Sequence, residues 1–167
     1  GDPTEAAFIV VARKAGMEKH GLSRKYPRIA ELPFSSETKK MITLHTRVDT
    51  TGGEAKVAYM KGAPEMVLPS CGFMKTDEGL KPIAESERVE ILNHAKSMAA
   101  NALRVLAVAL KSDVDRVENT GSQMVFLGLI GMIDPPRAEA HEAVKRCIAA
   151  GIRPVMITGD HPLTARS

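Results

Sequence analysis

Tryptophan is absent from this 167-residue chain and aromatic residues make up only 4% of it, so any interior has to be built from aliphatic, methionine and alanine side chains. The two cysteines, Cys71 and Cys147, sit in unrelated contexts and match no metal-ligand spacing, which suits reduced thiols in a cytosolic compartment. No apolar run approaches the ~20 residues of a membrane span, and no signal peptide is visible. The usual soluble nucleotide and metal motifs are missing as well: there is no Gly-x-x-x-x-Gly-Lys-Ser/Thr loop, no Gly-x-Gly-x-x-Gly and no His-Glu-x-x-His. The five histidines, at positions 20, 45, 94, 141 and 161, form no ligand-spaced pair and read as surface or capping residues. Excess charge is also lacking, since the net charge is only +3 and the Lys and Arg residues are scattered. Nucleic acid is therefore not called for, whereas a small anion fits.

What is present is enough apolar residue, 44%, to bury a core in one large domain or one domain with an added piece. Asp2, Pro3 and Glu5 make a capping-box-like start to a helix running through Lys14, with Ala6, Ala7, Val10, Val11 and Ala15 on its apolar face. Residues 16–27 read as polar and turn-like. Strands are expected over 28–34, 41–47 and 55–60, with a glycine turn at 49–53 between the last two. A helix begins near Pro64, and a turn follows at 76–79. Ser86 is placed as the cap of another helix, and strands cover 103–110 and 124–133. Up to about residue 127 the pattern is α+β, an antiparallel sheet with interleaved helices.

The last forty residues follow another rule. The strand at 124–133, an alanine-rich helix at 138–149 closed by Gly151, and an apolar segment at 152–157 read as a strand-helix-strand unit with parallel strands and a right-handed crossover. The loop Thr158-Gly159-Asp160 then lies at a strand's carboxyl end, where open α/β sheets bind ligands. The expected division is 1–127 and 128–167. Both ends look cut, and the chain is expected to be a piece of a longer protein.

The densest signal is Lys61-Gly62-Ala63-Pro64-Glu65. The apolar run 57–60 delivers one ammonium onto a glycine turn before a helix, and Gly62 carries no side chain to keep a flat ligand off the backbone. Taken with Gly1-Asp2-Pro3-Thr4-Glu5, Pro33-Phe34-Ser35-Ser36, Asp134-Pro135-Pro136-Arg137 and Thr158-Gly159-Asp160 in that order, it resembles the cytoplasmic nucleotide-binding region of P-type cation-transporting ATPases. The resemblance covers nearly the whole chain. The wording of 33–41 and 159–165 is most similar to bacterial or archaeal calcium-transporting members of type II, with sodium/potassium- or magnesium-type pumps next.

That resemblance implies roles residue by residue. Phe34 looks like the adenine-stacking aromatic, against a plain reading as core phenylalanine. Lys61, with Gly62 and Ala63, would line the pocket, against a solvated lysine beside a turn. Glu5 matches the glutamate that accepts a hydrogen bond from the adenine amino group, and equally completes a capping box. Lys39 and Met41 match pocket-lining positions. Arg104 matches the arginine that reaches the phosphates, against pairing with a local carboxylate. Some animal calcium pumps carry an arginine two residues after the phenylalanine, where Ser36 stands here. Thr158, Gly159 and Asp160 look like the loop that contacts the transferring phosphoryl group, against a helix-capping turn. Asp134, Pro135, Pro136 and Arg137 match the second hinge strand between the two domains.

The implied protein is an integral membrane cation pump, with calcium as the favoured ion. This chain would be its cytoplasmic ATP- and ADP-binding domain plus a β-α-β part of the phosphorylation domain. Its partners would be the remaining phosphorylation, actuator and transmembrane domains of the same polypeptide, and Mg-ATP its substrate. The phosphorylation motif Asp-Lys-Thr-Gly-Thr and the Gly-Asp-Gly magnesium motif do not occur in the chain, so it would bind nucleotide without turnover. One alternative is a non-catalytic binding module sharing this fold. A haloacid-dehalogenase-type phosphatase ranks last, because it needs an upstream nucleophilic aspartate.

Overall fold

The computed structural model describes residues 3–48, 53–133 and 138–155. Its centre is a seven-stranded sheet in the order β1-β2-β3-β6-β7-β4-β5. The strands are β1 (Arg28–Leu32), β2 (Lys40–Val48), β3 (Glu54–Gly62), β4 (Cys71–Thr76), β5 (Gly79–Pro82), β6 (Arg104–Ser112) and β7 (Met124–Met132). Neighbours are antiparallel except β4 and β7, which run parallel. The purely antiparallel expectation is thus corrected at one seam. The 76–79 turn is the tip of a β4–β5 hairpin whose strands the sequence reading left out. β5 is exposed along its whole length, so it carries no alternating pattern to read.

Period-2 alternation sorts the strands onto two faces. One face is the core: Ile42 and Leu44 of β2, Ala58 and Met60 of β3, Ala107 and Ala109 of β6, and Met124 and Phe126 of β7 are all buried. The helices α3 (Pro64–Val67) and α4 (Glu85–Ala100) cover this side, together with the 3-10 turn Val117–Thr120. Arg88 of α4 locks the layer by donating to the carbonyls of Leu68 and Cys71. Ser86 is not the cap of α4. The helix starts at Glu85, and the Glu87 carboxylate accepts the Ala84 N–H at 2.9 Å.

The opposite face carries α1 (Pro3–Lys14) and α2 (Lys19–Lys25). The segment expected to be turn-like contains α2, whose apolar content is too low to give a periodic signal. On α1, Val10 and Val11 are exposed. Among the described side chains of α1, Thr4 and Phe8, one helical turn apart, reach Arg104 and Lys61 of the sheet. His45 is half-buried and braced, not a surface residue: Nδ1 lies 2.9 Å from the Tyr26 carbonyl and Nε2 3.0 Å from the Thr43 hydroxyl.

β7 is a single strand inside this sheet, so the boundary expected at 127/128 falls within it. The helix α5 (Ala138–Ala149) forms where expected, and Gly151 (φ +74) closes it. The Gly151 and Ile152 N–H groups donate back to the carbonyls of Ile148 and Cys147, the paired bonds of a left-handed C-terminal cap. The buried strand expected at 152–157 is not found over 152–155, where no strand forms and Ile152 and Val155 are exposed. Residues 156 and 157 lie outside the described residues.

Candidate functional site

The α1 face of the sheet holds a groove of about 240 Å³. Met41 and Lys61 are cross-strand partners on β2 and β3, and both line it. Tyr59, two residues before Lys61, shares its face, and Val108 opposes Lys61 on β6. Phe8 forms the α1 wall, and the Lys61 ammonium stands 5.0 Å from the centre of its ring, within cation–π range. Arg28 is a second basic residue at the groove, held by Glu31 at 2.6 Å. Burial raises the Tyr59 phenol above its ordinary pKa, with Tyr26 adding in the same direction. No Asp or Glu lines the groove among the described residues.

Lys39, Gly62 and Ala63 act through the backbone. Ser35 caps the turn that follows Phe34: its hydroxyl accepts the Thr38 N–H at 3.1 Å, and its carbonyl accepts the Lys39 N–H at 2.8 Å. Lys39 then enters the left-handed region (φ +47), which is strained for a residue with a Cβ. Its carbonyl accepts the Ala63 N–H at 3.0 Å. This knot requires glycine at position 62, where a Cβ would sit 2.5 Å from the Lys39 carbonyl oxygen and 2.8 Å from the Lys40 Cα. The bare backbone of Gly62 thus admits another stretch of this chain, a correction to the reading that it is left open for a ligand.

Phe34 is 61% exposed, which removes the core reading for it; it is not among the groove's lining residues. Arg104 occupies the same sheet face as Lys61, four residues from Val108 and so about 13 Å along the strand. Its guanidinium donates to the Thr4 hydroxyl at 3.2 Å. Glu5 lies in the first turn of α1, and its side chain falls outside the described residues. Asp134, Pro135, Pro136, Arg137, Thr158, Gly159 and Asp160 lie outside them too.

The structure therefore brings together Met41 and Lys61 directly, ties Lys39 to Ala63 beside them, and sets Arg104 at the far end of the same face. Phe8, Thr43, Tyr59 and Val108 were missed. Tyr59 was legible, because the alternation of Tyr59 and Lys61 with Ala58, Met60 and Gly62 separates the two faces. Phe8 carried a weaker signal, its spacing of four from Thr4. No cluster of three or more metal-ligating side chains occurs among the described residues, and no helix there is long and apolar enough to cross a membrane.

A mixed sheet that packs its core on one face and keeps a basic, aromatic groove on the other defines an α+β domain with an open groove. The family model described as P-type ATPase, cytoplasmic domain N, matches residues 1–139, and the chain belongs to that family. It is 41% identical to the calcium-transporting ATPase 1 of Bacillus cereus, an alignment covering 99% of this chain and 18% of that protein. Identity is 42% to the cation-transporting ATPase pma1 of Synechocystis, over 100% of this chain and 18% of that protein. The sodium/potassium-transporting ATPase subunit alpha-1 of Oreochromis mossambicus is 33% identical, over 100% of this chain and 17% of its own length. The chain thus spans less than one fifth of the length of these relatives.

Proposed function

We propose that the groove between α1 and the β2-β3-β6 face binds ATP and ADP. In this reading the chain is the nucleotide-holding part of a membrane pump that couples ATP hydrolysis to cation transport. The observation that carries it is the convergence of Lys61, Met41 and Phe8 on one groove. An ammonium beside an aromatic face and a flexible thioether suits a flat, electron-rich base with a phosphate tail. Phe34, exposed at the start of the Ser35 turn, is the stacking platform in this reading. Arg104, further along the face, is the phosphate contact, and Thr4 orients it. Glu5 would accept from the base.

Residues beyond β7, from about 133 onward, belong, in this proposal, to the joint and to part of a phosphorylation domain. Asp134 to Arg137 are the hinge, and Thr158, Gly159 and Asp160 the phosphoryl contact. Magnesium would arrive with the nucleotide. Calcium is the proposed ion, because relatives from Bacillus cereus, Bacillus subtilis and Listeria monocytogenes are named calcium-transporting ATPases. Its selection would fall to membrane helices of the same polypeptide.

Calorimetric titration of the 167-residue chain with ATP, ADP and GTP, paired with amide shifts, tests this. Adenine nucleotides bind weakly and in preference to GTP, with shifts at Phe34 and Lys61. Phosphate release at saturating Mg-ATP stays at background, because no phosphorylated aspartate motif is present. Tighter GTP binding, silence at both residues, or turnover lost in Asp160→Asn would overturn the assignment.

A further inference from the structure

Next to the groove, α1, α2 and the β1-β2-β3 surface enclose a second cleft of about 600 Å³, inside the roughly 300–1,000 Å³ typical of small-molecule sites. We propose that this cleft is a separate ligand site for a flat aromatic molecule carrying one anionic group. The chain has two tyrosines and four phenylalanines, and three of these six, Phe8, Tyr26 and Tyr59, line this single space. Such concentration in an aromatic-poor protein is more than core filling, since none of the three is fully buried.

The floor is built rather than incidental. His45 is fixed by the Tyr26 carbonyl and the Thr43 hydroxyl, and it meets Tyr59 edge-on with ring centres 5.5 Å apart and planes at 76°. A ring held in that way offers a preorganised surface on which another aromatic packs in an offset or edge-on arrangement. The charged side chains lining the cleft among the described residues are basic. Lys19 and Arg28 line the cleft, and no Asp or Glu does among the described residues. Arg28 is engaged by Glu31, so the anionic group of the ligand falls to Lys19.

Phe8, Arg28 and Tyr59 line both the groove and the cleft. A molecule seated in the cleft fixes or displaces these shared walls and so changes the affinity of the groove by linkage. This coupling rests on the nucleotide reading of the groove; the cleft itself does not.

The test uses 8-anilinonaphthalene-1-sulfonate with the folded 167-residue chain. Saturable binding of one probe per chain is expected, with amide shifts at Ala12, Leu22 and Tyr26. Ala12→Trp, which fills the cleft, weakens the probe about tenfold or more. Lys19→Gln, a surface change that leaves folding intact, weakens it roughly two- to fivefold. The uncharged analogue N-phenyl-1-naphthylamine binds less well, and saturating ATP alters probe affinity without displacing it. Non-saturable binding, or no shifts at those residues, overturns the site. Equal binding of the uncharged analogue overturns its anionic character. Complete displacement by ATP makes the cleft part of the groove and overturns its separateness. One-to-one probe binding by a chain that ignores ATP sustains the cleft while removing the nucleotide proposal.

Discussion

The two faces of β2 and β3 are made by alternate residues of the same strands, yet they behave as different materials. Ile42, Leu44, Ala58 and Met60 are packed shut under α3 and α4, while Met41, Thr43, Tyr59 and Lys61 stay half-open beneath α1. Burial on one face holds the strands in register, and that register alone places Lys61 opposite Met41 and Val108. The groove therefore needs little stability of its own. Its walls are positioned by packing on the other side of a sheet one residue thick.

The contrast breaks most visibly with Leu44→Ala. Leu44 is buried in the core cluster, so its truncation costs about 2–5 kcal/mol of stability. Chemical denaturation should show that loss, while nucleotide affinity of the folded protein stays near that of the parent. Gly62→Ala joins both faces. Its Cβ meets backbone at 2.5–2.8 Å, and overpacking of this kind costs about 1–3 kcal/mol. Nucleotide affinity falls with stability there, because the Lys39–Ala63 knot has to shift. Gly72→Ala is the control, as its Cβ meets the movable end of the Gln123 side chain and the melting temperature should drop far less.

Phe34→Ala sharpens the contrast from the open side. Loss of a stacking platform weakens ATP by about 1–3 kcal/mol, whereas a residue 61% exposed changes folding stability by only about 0.5 kcal/mol. Parallel melts and titrations measure both. The smallest effect belongs to Lys81 and Glu87, a surface pair. Glu87 is lowered from 4.5 by the Lys81 hydrogen bond and then by the Ala84 N–H. Lys81 is raised from 10.5 by the same hydrogen bond. The carboxylate's share is therefore present above pH 4.5 and lost as pH falls through its lowered value. The lysine's share is present below pH 10.5 and lost as pH rises through its raised value. Glu87→Gln should lower the melting temperature only slightly at pH 7, and the difference should vanish at low pH, where the carboxylate is protonated.

How much of this was legible in the sequence follows from the same two faces. Strands β2, β3, β6 and β7 were found because burial on one side imprints alternation and apolar runs. The β4–β5 hairpin was not, since β5 buries nothing and β4 runs Cys71-Gly72-Phe73 with little pattern. The parallel β4–β7 seam was out of reach for the same reason, because pairing between strands so far apart leaves no local trace. Lys61 and Met41, both expected to line one pocket, are cross-strand neighbours. Phe8 was passed over because Val10 and Val11 look more apolar, although they point to solvent. The role of Gly62 was misjudged because a glycine that admits a ligand and one that admits the chain itself are identical letters.

The strand order carries a consequence for how the molecule comes into being during synthesis. β7 is the last strand of the sheet to leave the ribosome, yet it lies between β6 and β4. Until it arrives, β1, β2, β3 and β6 form one assembly and the β4–β5 hairpin another, with nothing to zip them together. The nascent protein therefore waits for residues 124–132 with the inner edges of β6 and β4 open, and contacts this distant in sequence close slowly. Those edges are where other chains would add. The middle of the sheet, the most protected place in the finished domain, is the last to be sealed.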